Sequence, residues 1–213
     1  MKEQAIEGIK PTRMELLRVR RRLELAERGH RLLEDKRDAL IENFFRFIKR
    51  RDEIRKEVET ILGKAMDALL DAEMVMGVDK VRIMARLSRK VGEVEFFTDN
   101  VMGVRIPKIN KENLKLEEGD RFIANLRLEE ARMLFREALV KLLDLAEVDG
   151  AIRSLALEIE RTKRRVNVLE NIVIPRLQAT RKRIEMLLEE REREEFFRRK
   201  RIKALMERRK VGG

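Results

Sequence analysis

His30 is the chain's one histidine, and it stands in "RGHRLLEDKRDAL" (residues 28–40), a run that otherwise reads as strong helix. Imidazole is the side chain best suited to proton transfer or metal binding near neutral pH, so chemistry is sought here first. A catalytic histidine needs a partner and a concave site, and a zinc site needs further His or Cys ligands. The chain has no second histidine and no cysteine. Its 40 Asp and Glu are interleaved with 51 Lys and Arg, as on a solvated surface. A phosphate-cradling glycine loop, a dinucleotide fingerprint and an H-E-x-x-H pair are all missing from the sequence. These residues point to no catalytic group, no cofactor and no metal, and so to a protein that is not an enzyme. His30 reads instead as a packing position, with a pH-sensitive role as the alternative. Gly29 beside it costs about 1 kcal/mol of helix propensity, which marks a close approach of another backbone, either a second helix or an outside partner.

What positions His30 is a long apolar seam. From Leu16 the spacing alternates three and four: Leu16, Val19, Leu23, Ala26, His30, Leu33, Arg37, Leu40, Phe44, Phe47, Arg51, Ile54, Val58, Ile61, Ala65, Ala68, Ala72, Val75. Only His30, Arg37 and Arg51 break it, and a seam held this long reads as coiled coil. Thr12 after Pro11, with Glu15 three residues on, reads as the helix start. At about 1.5 Å per residue the helix would be roughly 90 Å long. The two arginines are expected to bury their stems and meet carboxylates across the coil, Arg37 near Glu158 and Arg51 near Asp144. That follows if paired residue numbers sum to about 195, within roughly one helical turn.

A second seam runs through Leu145, Val148, Ile152, Leu155, Ile159, Thr162, Val166, Leu169 and Val173. Pro175 follows, and the phase then moves to Leu177, Ile184 and Leu188, so a kink or local unwinding is expected there. Between the helices, residues 76–90 read as a short helix and 91–109 as a β-hairpin. Its strands are expected near 93–98 and 101–106, with an Asp-Asn turn and Pro107 closing the second strand. The fold class that follows is mainly α: a long antiparallel two-helix coiled coil with a small middle head containing a β-hairpin. Its parts would be an N-terminal shaft helix (1–77), the head (78–117) and a C-terminal shaft helix (118–213).

The chain is 43% charged and 4% aromatic, which suits extended helices better than a large globular core. Regular Leu, Ile, Val and Met spacing argues against disorder. Without an apolar signal core or a run of about 18 apolar residues, the protein is expected to be soluble and intracellular. Its net charge of +11 speaks to partners. Nucleic acid is one alternative, with basic clusters at 18–22, 161–165 and 198–203, but charges of both signs alternate and stacking aromatics are few. A coiled-coil scaffold that only dimerises is another.

Three segments, in order, carry a resemblance: "PTRMELLRVRRRLELAERGHRLLEDKRDALI" (11–41), "NVMGVRIPKI" (100–109) and "RRVNVLENIVIPRLQATRKRIEMLLEEREREEFFRRKRIK" (164–203). They are similar to the D subunit of the archaeal and vacuolar-type rotary ATPases, including the unusual Ile-Pro-Arg inside a helix. The resemblance implies a non-catalytic central-stalk rotor: a shaft in the hexamer of A and B subunits, working with the F subunit and seated on the socket-forming C subunit above the membrane ring. It implies coupling of ATP synthesis or hydrolysis to proton or sodium transport, at the cytoplasmic face of the cell membrane. Neither nucleic-acid binding nor direct membrane insertion is expected. The partner-binding candidates are Arg13, Arg20, Gly29, His30, Arg164, Arg176, Phe196, Phe197, Ile202 and Leu205.

Overall fold

The computed structural model describes residues 10–87, 94–111 and 125–211, with side chains as far as Met206. The helical elements are α1 (Arg13–Met76), α2 (Val78–Leu87), α3 (Leu126–Val168) and α4 (Ile174–Val211), with a π turn at Leu169–Val173 between the last two. Strands β1 (Glu95–Val101) and β2 (Val104–Asn110) form one antiparallel pair. The chain divides into two compact units. One is made of residues up to Arg37 with those from Arg161 onward, and the other of Asp38–Glu160.

Helix α1 starts where a cap is available: Thr12 Oγ1 accepts from the Glu15 backbone N–H at 3.2 Å. The reciprocal arm of a capping box is not made, because the Glu15 carboxylate pairs with Arg18 at 3.2 Å. At the other end the N–H of Gly77 bonds Glu73 at 2.8 Å, and Gly77 takes φ +88°, the left-handed conformation that ends helices. Every seam position of α1 except Val75 is buried or half-buried, as are all nine of the second seam. The heptad reading therefore locates the core.

In the unit spanning Asp38–Glu160, the helices run antiparallel and the hairpin completes the core. Leu40 of α1 and Leu155 of α3, both fully buried, enclose Val104 and Ile106 of β2 with Ala151, and Phe44, Phe47, Val101 and Ile159 pack around them. The hairpin differs from its expected form. Its turn is Met102-Gly103, both at positive φ (54° and 84°), as a two-residue type I′ turn requires. Asp99 and Asn100 lie within β1, and Pro107 lies within β2. Proline is tolerated there because pairs alternate outward from the turn. Val101 and Val104 flank it, so Thr98↔Pro107 is a pair without mutual hydrogen bonds, and the missing N–H would have faced away from β1. That outer edge of β2 meets α3. A Cβ built on Gly150 would lie 2.5 Å from Pro107 Cγ, and two residues on, the Ile109 N–H donates to Glu147 Oε2 at 3.5 Å.

The other unit pairs the start of α1 with α4. Val19, Leu23, Leu177 and Ile184 form its core, bordered by Leu16, Ala26, Val173, Ile174 and Leu188. The expected local unwinding takes the form of the π turn, in which the Ile174 N–H reaches back to the Leu169 carbonyl. Strict alternation after Val173 would place the next core residue at 176. The buried residue is Leu177, followed by Thr180 and Ile184. The π turn holds one residue more than an α-turn, which accounts for the shift. Pro175 suits the place, having no N–H to give the ladder.

Candidate interaction surface

With chemistry reduced to one imidazole, function has to be sought on surfaces. All ten candidate positions fall in the unit formed by the two chain ends, but they play different parts.

Arg13 and Arg20 are cross-helix braces. Arg13 Nη2 lies 2.6 Å from Glu192 Oε1, Arg20 Nη2 lies 2.9 Å from Glu185 Oε1, and Arg191 Nη1 donates to the Pro11 carbonyl at 2.9 Å. Such exposed pairs contribute about 0–1 kcal/mol each and mainly fix register. The pairing sum differs between the two units. Residues 57 and 141, joined by Glu57–Lys141 at 2.6 Å, sum to 198, whereas 20 and 185 sum to 205. In the unit of the two chain ends α1 is therefore partnered as far as Glu192, beyond the residue 183 that a sum of 195 places opposite Thr12.

Arg51 does not meet Asp144. Its guanidinium bonds neighbouring Asp52, with Nη2 to Oδ1 at 2.8 Å, and Asp144 is occupied by Lys111 from the end of the hairpin. Arg37 is half-buried and engaged, as is Glu158. Gly29 has open space where a Cβ would stand, with nothing within 4 Å. Among the described residues no second helix makes the close approach expected at Gly29. Among the described glycines the tight contact is at Gly150, which the helical pattern concealed.

His30 is on the seam, as predicted, with a side chain 15% exposed. Its Nδ1 lies 3.3 Å from Glu34 Oε2, one turn along α1, and its Nε2 lies 3.9 Å from Glu170 Oε2 on the π turn. Arg164 and Arg176 are exposed; Arg164 is engaged, and the Arg176 carbonyl accepts from Thr180 Oγ1 at 2.7 Å.

Beyond Leu188 every described side chain is exposed. Phe196 and Phe197, 64% and 65% exposed, meet edge to face at 6.1 Å, and with Glu189, Glu192 and Arg193 they line a shallow groove. Ile202, Leu205 and Met206 follow, also exposed. From Glu192, which pairs with Arg13, the helix continues for about 28 Å to Val211. Large apolar side chains gathered on an otherwise charged helix mark a contact surface.

Sequence reasoning missed two further apolar surfaces. Leu25 and Leu32 lie on the outer side of α1, and Met66, Leu70 and Met74 with Val78, Ile83 and Leu87 are exposed around the α1–α2 junction. Their four- and seven-residue spacings were legible in principle, but they run off the dominant seam. Among the described residues no group of three metal-ligating side chains comes together, and no helix is long and apolar enough to cross a membrane.

Charge divides as sharply as packing. Residues 1–37 and 161–213 carry 29 Lys and Arg against 15 Asp and Glu, a net +14; residues 38–160 carry 22 against 25, a net −3. The basic excess of the chain thus belongs to the unit that bears the exposed apolar end.

Comparison with known proteins decides the family. A family model for the D subunit of ATP synthase matches residues 15–204. The chain belongs to the ATP synthase D-subunit family. Relatives named as D subunits of A-type ATP synthases include that of Methanopyrus kandleri, 44% identical over 99% of this chain and 92% of the relative. That of Thermococcus kodakarensis is 45% identical over 94% and 95%, and that of Pyrococcus furiosus 44% over 93% and 95%. The D-subunit match spans both units, the hairpin and the π turn.

Proposed function

We propose that this chain is the non-catalytic central-stalk shaft of an A-type ATP synthase. It would couple ATP synthesis or hydrolysis in a hexamer of A and B subunits to rotation of a proton- or sodium-translocating membrane ring. In this reading the basic unit lies in the hexamer's bore, the F subunit binds alongside, and the socket-forming C subunit receives the opposite end. The complex would sit at the cytoplasmic face of the cell membrane, with this chain peripheral to it. The 1–77, 78–117 and 118–213 segments would serve as outgoing helix, head and returning helix.

The observation that carries the reading is the end of α4, where Phe196, Phe197, Ile202 and Leu205 stand exposed beyond the Arg13–Glu192 pair. A helix so charged gains most of its stability from packing, so these side chains call for a surface outside the chain. A shaft also needs contacts that differ around its axis, so that the sites surrounding it occupy different states. The interleaved arginines, leucines and phenylalanines of this unit supply that.

The test is truncation after Glu192. The shortened chain should keep its coiled-coil helicity and melt with the full-length protein, because the core and the braces remain. It should fail to co-purify stoichiometrically with the A and B subunits, or should assemble without coupled ATP turnover. Normal assembly and coupling would overturn the reading.

A further inference from the structure

The stalk reading leaves one feature unused: the single imidazole set between two carboxylates beside the π turn. The His30 ring is mostly buried, and Nε2 is inaccessible, with no hydrogen-bond partner among the described residues. The charged groups facing it are Glu34, from its own helix, and Glu170, from the π turn; Glu170 Oε2 lies 3.9 Å from Nε2, just beyond hydrogen-bond reach. A neutral imidazole has one N–H and can serve one carboxylate, while an imidazolium has two and can serve both. Glu34 Oε2 is the nearer carboxylate oxygen, 3.3 Å from Nδ1, so with the first proton on Nδ1 the second goes to the nitrogen that faces Glu170.

We propose that His30 is a proton-operated clamp between α1 and the π turn. Protonated, the ring bridges Glu34 and Glu170 and ties Leu169–Val173 to α1. Neutral, it releases Glu170 and leaves the turn held by packing alone. The ring is mostly buried but the Glu170 side chain is 58% exposed, so the added charge-assisted bond is that of a half-exposed pair. The π turn is also where extra stability would be felt, being a local departure from the α-helical ladder. The clamp goes beyond the stalk reading and would operate in the free chain.

Hydrogen exchange of the full-length protein tests it, read at the amides of residues 169–174 and corrected for the intrinsic pH dependence of exchange. Between about pH 8 and pH 5, the range in which imidazoles take up their proton, protection of these amides should rise by roughly two- to fivefold. Amides around Ala151–Leu155 should show no such rise. His30→Gln and Glu170→Gln should each abolish it while leaving helicity unchanged. Glu170→Gln keeps the size of the side chain and removes only its charge, so it distinguishes a clamp from simple packing. A flat wild-type profile, or an equal rise in the Glu170→Gln protein, would overturn the proposal.

Discussion

In the unit spanning Asp38–Glu160, a hairpin strand closes over the helix pair; in the unit built from the chain ends, the pair stays open along its outer side. The first unit gathers Leu40, Leu155, Val104 and Ile106 into one core and is close to neutral. The second has a narrower core, cross-helix ion pairs, a net charge of +14 and phenylalanines facing out. Both use the same three-and-four spacing. The lesson is that the seam decides which helices pair, while the residues off the seam decide whether the pair is self-sufficient.

The largest test of that contrast is Leu40→Ala. Leu40 is fully buried against strand and helix, so its truncation should cost about 2–5 kcal/mol in urea unfolding. Phe196→Ala, at an exposed site, should stay within about 0.5 kcal/mol of wild type in the isolated chain. Equal costs would break the comparison.

Next come two glycines with opposite surroundings. Gly150→Ala drives a methyl into the Pro107 ring and should destabilise by about 1–3 kcal/mol, with changes in the hairpin amide spectrum. Gly29→Ala meets nothing and gains helix propensity, so the isolated chain should be stabilised by about 0.5–1 kcal/mol in the same assay. If Gly29→Ala also weakens assembly, an outside partner comes close there.

The smallest effect is electrostatic and confined to the hairpin. The Asn100 backbone N–H, and then the Lys108 ammonium, hold the Asp99 carboxyl below its ordinary value. A carboxyl depressed by folding adds stability above its unfolded pKa of about 4, and that stability is lost as pH falls through the folded value. Protection of the hairpin amides should therefore drop as the protein is acidified below about pH 4. The drop should be weaker in Asp99→Asn, as amide exchange would show.

Much of this architecture is written locally. The cap at Thr12, the stop at Gly77 and the seams depend on residues within a few turns of one another, so spacing reveals them. The hairpin was half legible. Asp99-Asn100 is a plausible turn pair, but Met102-Gly103 turns the chain because that register lets Val104 and Ile106 reach Leu40 and Leu155, residues far away in sequence. Arg51 went astray for a related reason: Lys111 reaches Asp144, and no spacing along the helices foretells it. The family resemblance was readable from three segments, whereas the surface was not. The +14 unit is assembled from stretches more than a hundred residues apart, and its charge appears only once they are folded together.

The extra residue in the π turn has an angular meaning. One residue corresponds to about 100° of rotation around an α-helix. Were Leu169–Val173 to wind as ordinary α-helix, either Leu177 and Ile184 would swing off the core, or all of α4 beyond would turn by that amount against α1. The turn therefore sets the compass bearing of Phe196, Phe197, Ile202 and Leu205. A one-residue deletion there would let ordinary α-helix keep that bearing, whereas an α-helical turn with all its residues in place would re-aim the exposed end.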